Sequence, residues 1–276
     1  MAATSHRRNE FGTKPTTVLA AAAHPDDIEF MMAGTLLRLR ETGADLYMWN
    51  LGNGSCGTTS LSREEICRIR WEEARRSARV AGAKLYPPIA DDGLIFYEES
   101  LLAQAAAVVR RVRPEILLVP SPEDYMEDHQ NTSRLLVTAA FVRGMPNFRC
   151  VPPEPPWMGE VTLYHALPYG LCDGLRRRIL PELYADVTPV MDLKRKMLRC
   201  HRSQGEWLGS SQGMDSYVGE MEHMSRRVGE MSGCFEFAEG WRRHSHRGFS
   251  GQDRDPLSEL LGSACRVDSN YERGRE

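Results

Sequence analysis

The chain has 276 residues, of which 26% are charged and 41% hydrophobic, and its formal net charge is −3. This near balance gives no reason to expect a nucleic acid or an anionic membrane as a partner. The seven cysteines include no C-x-x-C pair, which argues against a disulfide framework and favours a reducing compartment. No long apolar segment and no signal-peptide pattern are found, so we expect a cytoplasmic protein.

The first predicted element is a short buried strand over residues 17–21, followed by the sequence A-H-P-D-D at 23–27 and then by a predicted helix. In an open α/β sheet such a turn lies at the carboxyl end of a strand, where these folds bind ligands. His24 and Asp27 can contact one metal ion, because imidazole nitrogen and carboxylate oxygen are both zinc ligands. Asp26 is then placed to take a proton from a water at that metal. An ordinary helix start is the competing interpretation.

A second predicted strand, residues 44–51, is followed by a loop at 52–57 of the form G-x-G-x-x-G. That form raises the alternative of a nucleotide-dependent oxidoreductase that uses Gly52 to Gly57. The dinucleotide fingerprint requires a helix that opens at the glycines. Here the next predicted helix begins later, at the capping box 62–65. We therefore favour a loop at the rim of a pocket.

The following elements are predicted in the order strand 84–86, turn 91–93, helix 100–112 and apolar strand 115–120. An acidic segment follows the last strand and ends at His129, where another helix begins. Because the first and fourth strands would bring their turns to one edge of the sheet, His129 is the natural third metal ligand. Two His and one Asp with an open position are typical of a catalytic zinc site. The alternative is that His129 only caps its helix.

The rest of the chain is predicted to contain a Pro- and Gly-rich loop, a strand at 161–164, helices at 190–202 and 214–231, and a last strand at 235–239. We expect a single domain with a Rossmann-like α/β fold, a mostly parallel sheet of five or six strands with helices on both faces. Its predicted bounds are 16–250. Residues 1–15 are expected to form a flexible N-terminal segment, and residues 251–276 a partly disordered tail.

Three segments resemble the PIG-L/LmbE-like family of zinc-dependent N-acetylglucosaminyl deacetylases. The A-H-P-D-D sequence at 23–27 matches the opening motif of the family, and Asp128-His129 matches the end of its H-x-D-H or H-x-N-H segment. Asp186-Val187, Lys194 and the H-R-S-Q sequence that begins at His201 match a late D-[VI]…K…H-x-S-Q stretch. The similarity spans about residues 16 to 240.

This resemblance implies one zinc ion per chain, or another divalent ion, held by three ligands: His24, Asp27 and His129. It implies that Asp26 is the general base for a metal-activated water that attacks an acetamide carbonyl. Arg70 and Asp92 match positions that contact the sugar in relatives. The expected partner is a small N-acetylated sugar conjugate. Which conjugate it is, and whether the chain forms a homo-oligomer, are left open.

One position departs from the family pattern, because its first His in H-x-D-H falls on Met126. In relatives that His helps to stabilise the oxyanion, which a thioether cannot do, and loss of one such donor costs about 10²–10³ in rate. Three side chains are candidate replacements: Tyr125, His165 and His201. We prefer His165, which ends a predicted strand, and we expect Asp128 to orient His129. The departure also motivates a second hypothesis, a non-catalytic relative that binds metal and sugar.

Overall fold

The computed structural model describes residues 15–205, 207 and 217–271. Within these residues the strands are β1 (Thr17–Ala22), β2 (Asp45–Asn50), β3 (Lys84–Tyr86), β4 (Ile116–Val119), β5 (Thr162–Ala166), β6 (Leu183–Asp186), β7 (Ala238–Arg243) and β8 (Cys265–Val267). The α-helices described are α1 (Asp27–Met31), α2 (Ala33–Glu41), α3 (Arg63–Ala81), α4 (Glu99–Val112), α5 (Glu127–Phe141), α6 (Met191–Leu198), α7 (Tyr217–Ser232) and α8 (Pro256–Leu261). None of these helices is both long and apolar enough to cross a bilayer.

The described strands form one sheet in the order β3-β2-β1-β4-β5-β7-β6-β8. The first five in that order are parallel, whereas β7, β6 and β8 add an antiparallel part. The predicted Rossmann-like α/β class is confirmed. The predicted count of five or six strands was too low, because β6 and β8 have only four and three residues and show no readable alternation.

The C-terminal part of the chain differs from its prediction in two respects. The last strand of the predicted domain lies at 238–243 rather than 235–239, so that its final two arginines belong to the sheet. Residues 256–267, expected in a partly disordered tail, form α8 and β8. Burial of Leu257 and Leu261, together with the pairing of β8 with β6, accounts for this order. The described ranges do not include residues 1–14 and 208–216. The second of these segments contains the first residues of the helix predicted at 214–231.

The sheet separates two apolar layers. Every residue of β1 is buried, and alternate side chains point to opposite faces because the side-chain period of a strand is two. Val18 and Ala20 join a core that also contains α2, α6 and α7, while Leu19 and Ala21 join the core formed with α4 and α5. Burial on both faces explains why the sequence of β1 is almost continuously apolar.

The sheet order has a topological switch point at β1. The chain proceeds from β1 outward through β2 and β3, and then returns to place β4 on the other side of β1. The loops that follow β1 and β4 therefore diverge and leave a crevice at the carboxyl ends of the two strands, which is where doubly wound sheets bind ligands. The segments 23–27 and 120–129 lie at this crevice, as the sequence predicts.

Candidate active site

His24, Asp27 and His129 form a compact cluster at the crevice. One ligand atom from each residue lies within 4.8 Å of the other two. Asp27 Oδ2 lies 3.5 Å from Nδ1 of His24 and 3.3 Å from Nε2 of His129. The folded chain thus brings together the three residues that spacing and strand order predict, from the turn into α1, from the first residue of α1 and from the first turn of α5.

Each histidine of the cluster has a carboxylate on its other ring nitrogen. Asp128 Oδ2 is 2.9 Å from Nε2 of His24 and also accepts a hydrogen bond from the backbone N–H of Gly93 at 2.7 Å. Asp124 Oδ2 is 3.1 Å from Nδ1 of His129. The prediction that Asp128 orients His129 is therefore wrong. Asp128 precedes His129 in the first turn of a helix, where adjacent side chains point in different directions, so Asp128 reaches His24 instead.

The cluster has the properties of a cation site. Both ring nitrogens of His129 are buried and neither makes a hydrogen bond of acceptable geometry in the described part of the chain, although oxygens of Asp27 and Asp124 lie 3.3 Å and 3.1 Å away. Burial lowers the pKa of His24, but hydrogen bonds to Asp128 and Asp27 outweigh burial and raise this pKa to about 10. The carboxylates thus favour a positive charge here. Two imidazole nitrogens and one carboxylate oxygen are a donor set that suits Zn²⁺, so the residues present fit the metal.

Asp26 lies in the cavity wall beside the cluster, in an unusual backbone conformation. Its φ of 113° and ψ of −22° are in the left-handed half of conformational space, and α1 begins directly after it, at Asp27. Its Oδ1 lies 3.5 Å from Nη2 of Arg70, and its Oδ2 accepts a hydrogen bond from Tyr217. Burial raises the pKa of Asp26 to about 6, against the opposing effect of the Arg70 guanidinium.

Arg70 and Asp92 both line the cavity, but their hydrogen bonds within the chain hold the walls together. Arg70 donates to the carbonyl of Pro25 and, at 2.7 Å, to Oε1 of Gln204. Asp92 accepts from the backbone N–H groups of Gly54 at 2.8 Å and Cys56 at 3.2 Å. Gly54 has a φ of +80°, and a Cβ at this position would lie 2.6 Å from Arg70 Cγ, so the loop needs a glycine here.

The Gly52–Gly57 loop does not have the geometry of a dinucleotide fingerprint. The next helix, α3, begins only at Arg63, with the predicted capping box between Ser62 and Glu65. No helix N-terminus is therefore available at the glycines to bind a pyrophosphate. Cys56 and Gly57 instead form part of the cavity wall, as the rim-loop interpretation predicts.

The cavity has a volume of about 420 Å³. Its wall contains acidic side chains, namely Asp26, Asp27, Asp92, Glu127 and Asp128. It also contains aromatic side chains, namely Phe30, Tyr125, Tyr169, Trp207 and Tyr217. Aromatic side chains that form an apolar surface beside polar groups directed into the same space are typical of small-molecule sites.

Two predicted site histidines lie outside the cavity wall. His165 is buried near the end of β5, with Nδ1 3.1 Å from the carbonyl of Pro120 and Nε2 3.0 Å from Nδ1 of His244. The preference for His165 as the oxyanion donor is therefore wrong, because the strand pleat turns this side chain towards Ser133 of α5. Nε2 of His201 lies 3.1 Å from Oε1 of the buried Glu29, so His201 packs against α1. Of the three candidates, Tyr125 is the one that lines the cavity.

Sequence reasoning missed Asp124 and Tyr217. Asp124 stands in an acidic run that reads as a solvated loop, yet its side chain is fully buried against His129. Tyr217 begins a Met-rich helix far along the chain, and no local pattern connects it with Asp26. Only the position of Asp124 five residues before a candidate ligand could have drawn attention to it.

The fold and the cluster together define a Rossmann-like α/β protein with a candidate metal centre at its switch point. Residues 19–140 match the family model described as PIG-L, GlcNAc-PI de-N-acetylase. The chain is also 30% identical over 195 residues to the diacetylchitobiose deacetylase of Thermococcus kodakarensis, which covers 68% of this chain and 69% of that protein. The chain therefore belongs to the PIG-L family.

Solved structures agree with this assignment. The N,N'-diacetylchitobiose deacetylase of Pyrococcus horikoshii, solved with an inhibitor, aligns with a TM-score of 0.70 and 25% identity over 87% of this chain and 88% of that chain. A 4-carboxy-2-hydroxymuconate hydratase from Pseudomonas putida shares the fold, with a TM-score of 0.71 and 20% identity over 87% of this chain and all of that chain. Proteins of this fold thus include more than one kind of named activity.

Proposed function

We propose that this chain is a zinc-dependent N-deacetylase that hydrolyses the acetamide of an N-acetylglucosamine-type sugar. One observation carries the proposal: three potential metal ligands and the carboxylate of Asp26 line the same cavity. The similarity to diacetylchitobiose deacetylases supports an acetylated sugar as the substrate.

His24, Asp27 and His129 would hold the metal. His24 would bind through Nδ1 and His129 through Nε2, because carboxylates face the other ring nitrogens. When bound at these ligands, zinc would act as a Lewis acid and lower the pKa of a water ligand. Charge neutralisation also favours metal binding, since a divalent cation offsets the negative charge of the carboxylates around it.

Asp26 would act as the proton carrier of the reaction. Its carboxylate would take a proton as water attacks the acetamide carbon, and would return it to the nitrogen as the C–N bond breaks, giving acetate and a free amine. The place of Asp26 in the same cavity wall as His24, Asp27 and His129 supports this role.

Tyr125 would donate the hydrogen bond that Met126 cannot supply. Its ring packs edge-on against His129, with 5.9 Å between ring centroids, and its side chain lines the cavity. Tyr125 is half-exposed. Partial burial of its phenol and the carboxylates of Asp27 and Asp124 raise the pKa of Tyr125, so the phenol keeps its proton and remains a donor. A phenol directed at the developing oxyanion would replace the function of the absent histidine.

The charge of the cavity favours a neutral sugar over an acidic substrate. Its described wall has five carboxylates and one guanidinium, that of Arg70, which is already hydrogen bonded to Pro25 and Gln204. Apart from the proposed metal ion, the described wall offers a polyanionic substrate no cationic side chain that is not already hydrogen bonded. The cavity therefore gives no support for an activity like that of the hydratase from Pseudomonas putida that shares the fold.

The test combines metal analysis of the purified protein with acetate release from a panel of N-acetylglucosamine conjugates. Asp26→Asn is the matched variant, because it keeps the shape of the side chain and removes its basicity. Bound zinc with acetate release that disappears in Asp26→Asn supports the proposal. Bound zinc without release from any conjugate favours the non-catalytic binding relative, and absence of bound metal contradicts the proposal as a whole.

A further inference from the structure

Tyr217 makes a buried contact with Asp26 that joins the last long helix to the candidate metal centre. The phenol at the start of α7 donates a hydrogen bond to Oδ2 of Asp26. Only 9% of Tyr217 and 6% of Asp26 is exposed. The two residues are 191 positions apart in the chain, so the contact exists only in the folded state.

The backbone of Asp26 needs such support. A φ of 113° is uncommon for a residue with a Cβ, and residues held in such conformations persist only where their surroundings fix them. Arg70 provides one constraint, because it binds the carbonyl of Pro25 and approaches Oδ1 of Asp26. Tyr217 provides the second, on the other carboxylate oxygen.

We propose that Tyr217 is a positioning residue that fixes the rotation of the Asp26 carboxylate in the cavity. With Oδ2 engaged by the phenol and Oδ1 facing Arg70, the carboxylate has one orientation relative to Asp27 and its cluster. The phenol keeps its proton and is the donor in this hydrogen bond, since burial and the neighbouring Asp26 raise the pKa of Tyr217 well above the ordinary value. The catalytic part of this inference rests on the proposed function of Asp26.

Tyr217 also packs on Phe30, with 5.2 Å between ring centroids. Tyr217→Phe keeps this packing and removes only the hydroxyl. The chain offers a matched control in Tyr164, a buried tyrosine that donates to Asp255 Oδ1 at 2.6 Å outside the cavity. Tyr164→Phe removes a buried phenol–carboxylate hydrogen bond and also the one that this phenol accepts from the backbone N–H of Leu257 at 3.1 Å. It therefore reports the structural cost of losing such a hydroxyl as an upper bound.

The first measurement is a double-mutant cycle on the unfolding equilibrium of the full chain, with Tyr217→Phe, Asp26→Ala and the double variant. We expect the two changes to be non-additive by about tenfold in the equilibrium constant. Additive effects would show that the phenol does not hold the carboxylate and would overturn the inference. This cycle needs no substrate, so its result does not depend on the proposed activity.

The second measurement is steady-state acetate release with the metal-loaded protein. Tyr217→Phe should lower kcat by about tenfold to a hundredfold, because a misplaced catalytic group loses this much, with little change in KM or in bound metal. Tyr164→Phe should lose stability without this loss of kcat. If kcat of Tyr217→Phe equals that of the wild type, Tyr217 does not position Asp26 for the reaction. A wild type without activity would contradict the proposed function, while the cycle would still decide whether Tyr217 holds Asp26.

Discussion

Asp124 approaches His129 from the side opposite to the candidate metal centre, with 3.1 Å between Oδ2 and Nδ1. The other oxygen of Asp124 accepts a hydrogen bond from the backbone N–H of Met126 at 3.0 Å, which closes the turn before α5. The same carboxylate therefore shapes the loop and faces the ring. Partners of this kind determine the tautomer of a ligating histidine and increase its basicity.

Asp124→Asn should weaken metal binding about 10- to 100-fold, the usual effect of removing a carboxylate behind a ligating histidine. The amide can still accept the hydrogen bond from Met126, so the turn should be kept while the negative charge is lost. Competition with a chromophoric chelator would measure the affinity directly, without any assay of activity.

Asp268→Asn is the matched control for this experiment. Asp268 accepts a hydrogen bond from the backbone N–H two residues later, that of Asn270, at 2.9 Å, as Asp124 does, but it is not part of the cavity wall. We expect its variant to bind metal like the wild type. Equal affinities for both variants and the wild type would mean that Asp124 has no effect on the metal centre.

Removal of the Tyr125 hydroxyl tests the proposed replacement for the missing histidine. Tyr125→Phe should reduce kcat by about a hundredfold, since loss of one oxyanion donor typically costs 10²–10³. Metal content should not change, because the three candidate ligands, His24, Asp27 and His129, are kept. Steady-state kinetics with a small acetylated sugar would measure the effect, and an unchanged kcat would exclude Tyr125 as the donor.

The sequence predicted the cluster because its members follow strand ends. His24 and Asp27 follow β1 and His129 follows β4, and parallel strands of a doubly wound sheet bring such turns to one edge. Asp124 and Tyr217 could not be predicted in the same way. Their contacts depend on the path of a loop and on the docking of a distant helix, neither of which leaves a periodic pattern in the sequence.

The errors at His165 and Asp128 have a common physical origin. In both cases the position of the backbone was predicted well, but the direction of the side chain was not. One residue along a strand reverses the face to which a side chain points, and adjacent residues on a helix point about a quarter-turn or more apart. Motif spacing therefore gives the neighbourhood of a residue more reliably than its contact partner.

Glu127 offers a test of the charge selection proposed for the cavity. It lies on the wall in the first turn of α5 and is exposed. Glu127→Lys should raise kcat/KM for an anionic N-acetylglucosamine conjugate by about threefold to tenfold relative to a neutral one, as expected for partly solvated charges.

Added salt should reduce this difference, because it screens exposed charges. Glu98→Lys, which changes an exposed acid outside the cavity wall, controls for the altered net charge. A ratio of anionic to neutral rates that stays the same in Glu127→Lys would argue against charge selection at this part of the wall.

The His165–His244 pair should make stability depend on pH. Burial, together with the neighbouring His244 and Arg242, lowers the pKa of His165 from 6.5 to about 3. Between these values the unfolded chain binds a proton at His165 that the folded chain does not, so acidification favours unfolding. The contribution of His165 is fully present above pH 6.5 and is lost by about 1.4 kcal/mol per pH unit below it.

Denaturant unfolding of the wild type and His165→Asn at pH 7, 6 and 5 would measure this contribution. Asn does not titrate in this range, so the free-energy gap between the two proteins should narrow as the pH falls, whereas a constant gap would show that His165 titrates alike in both states.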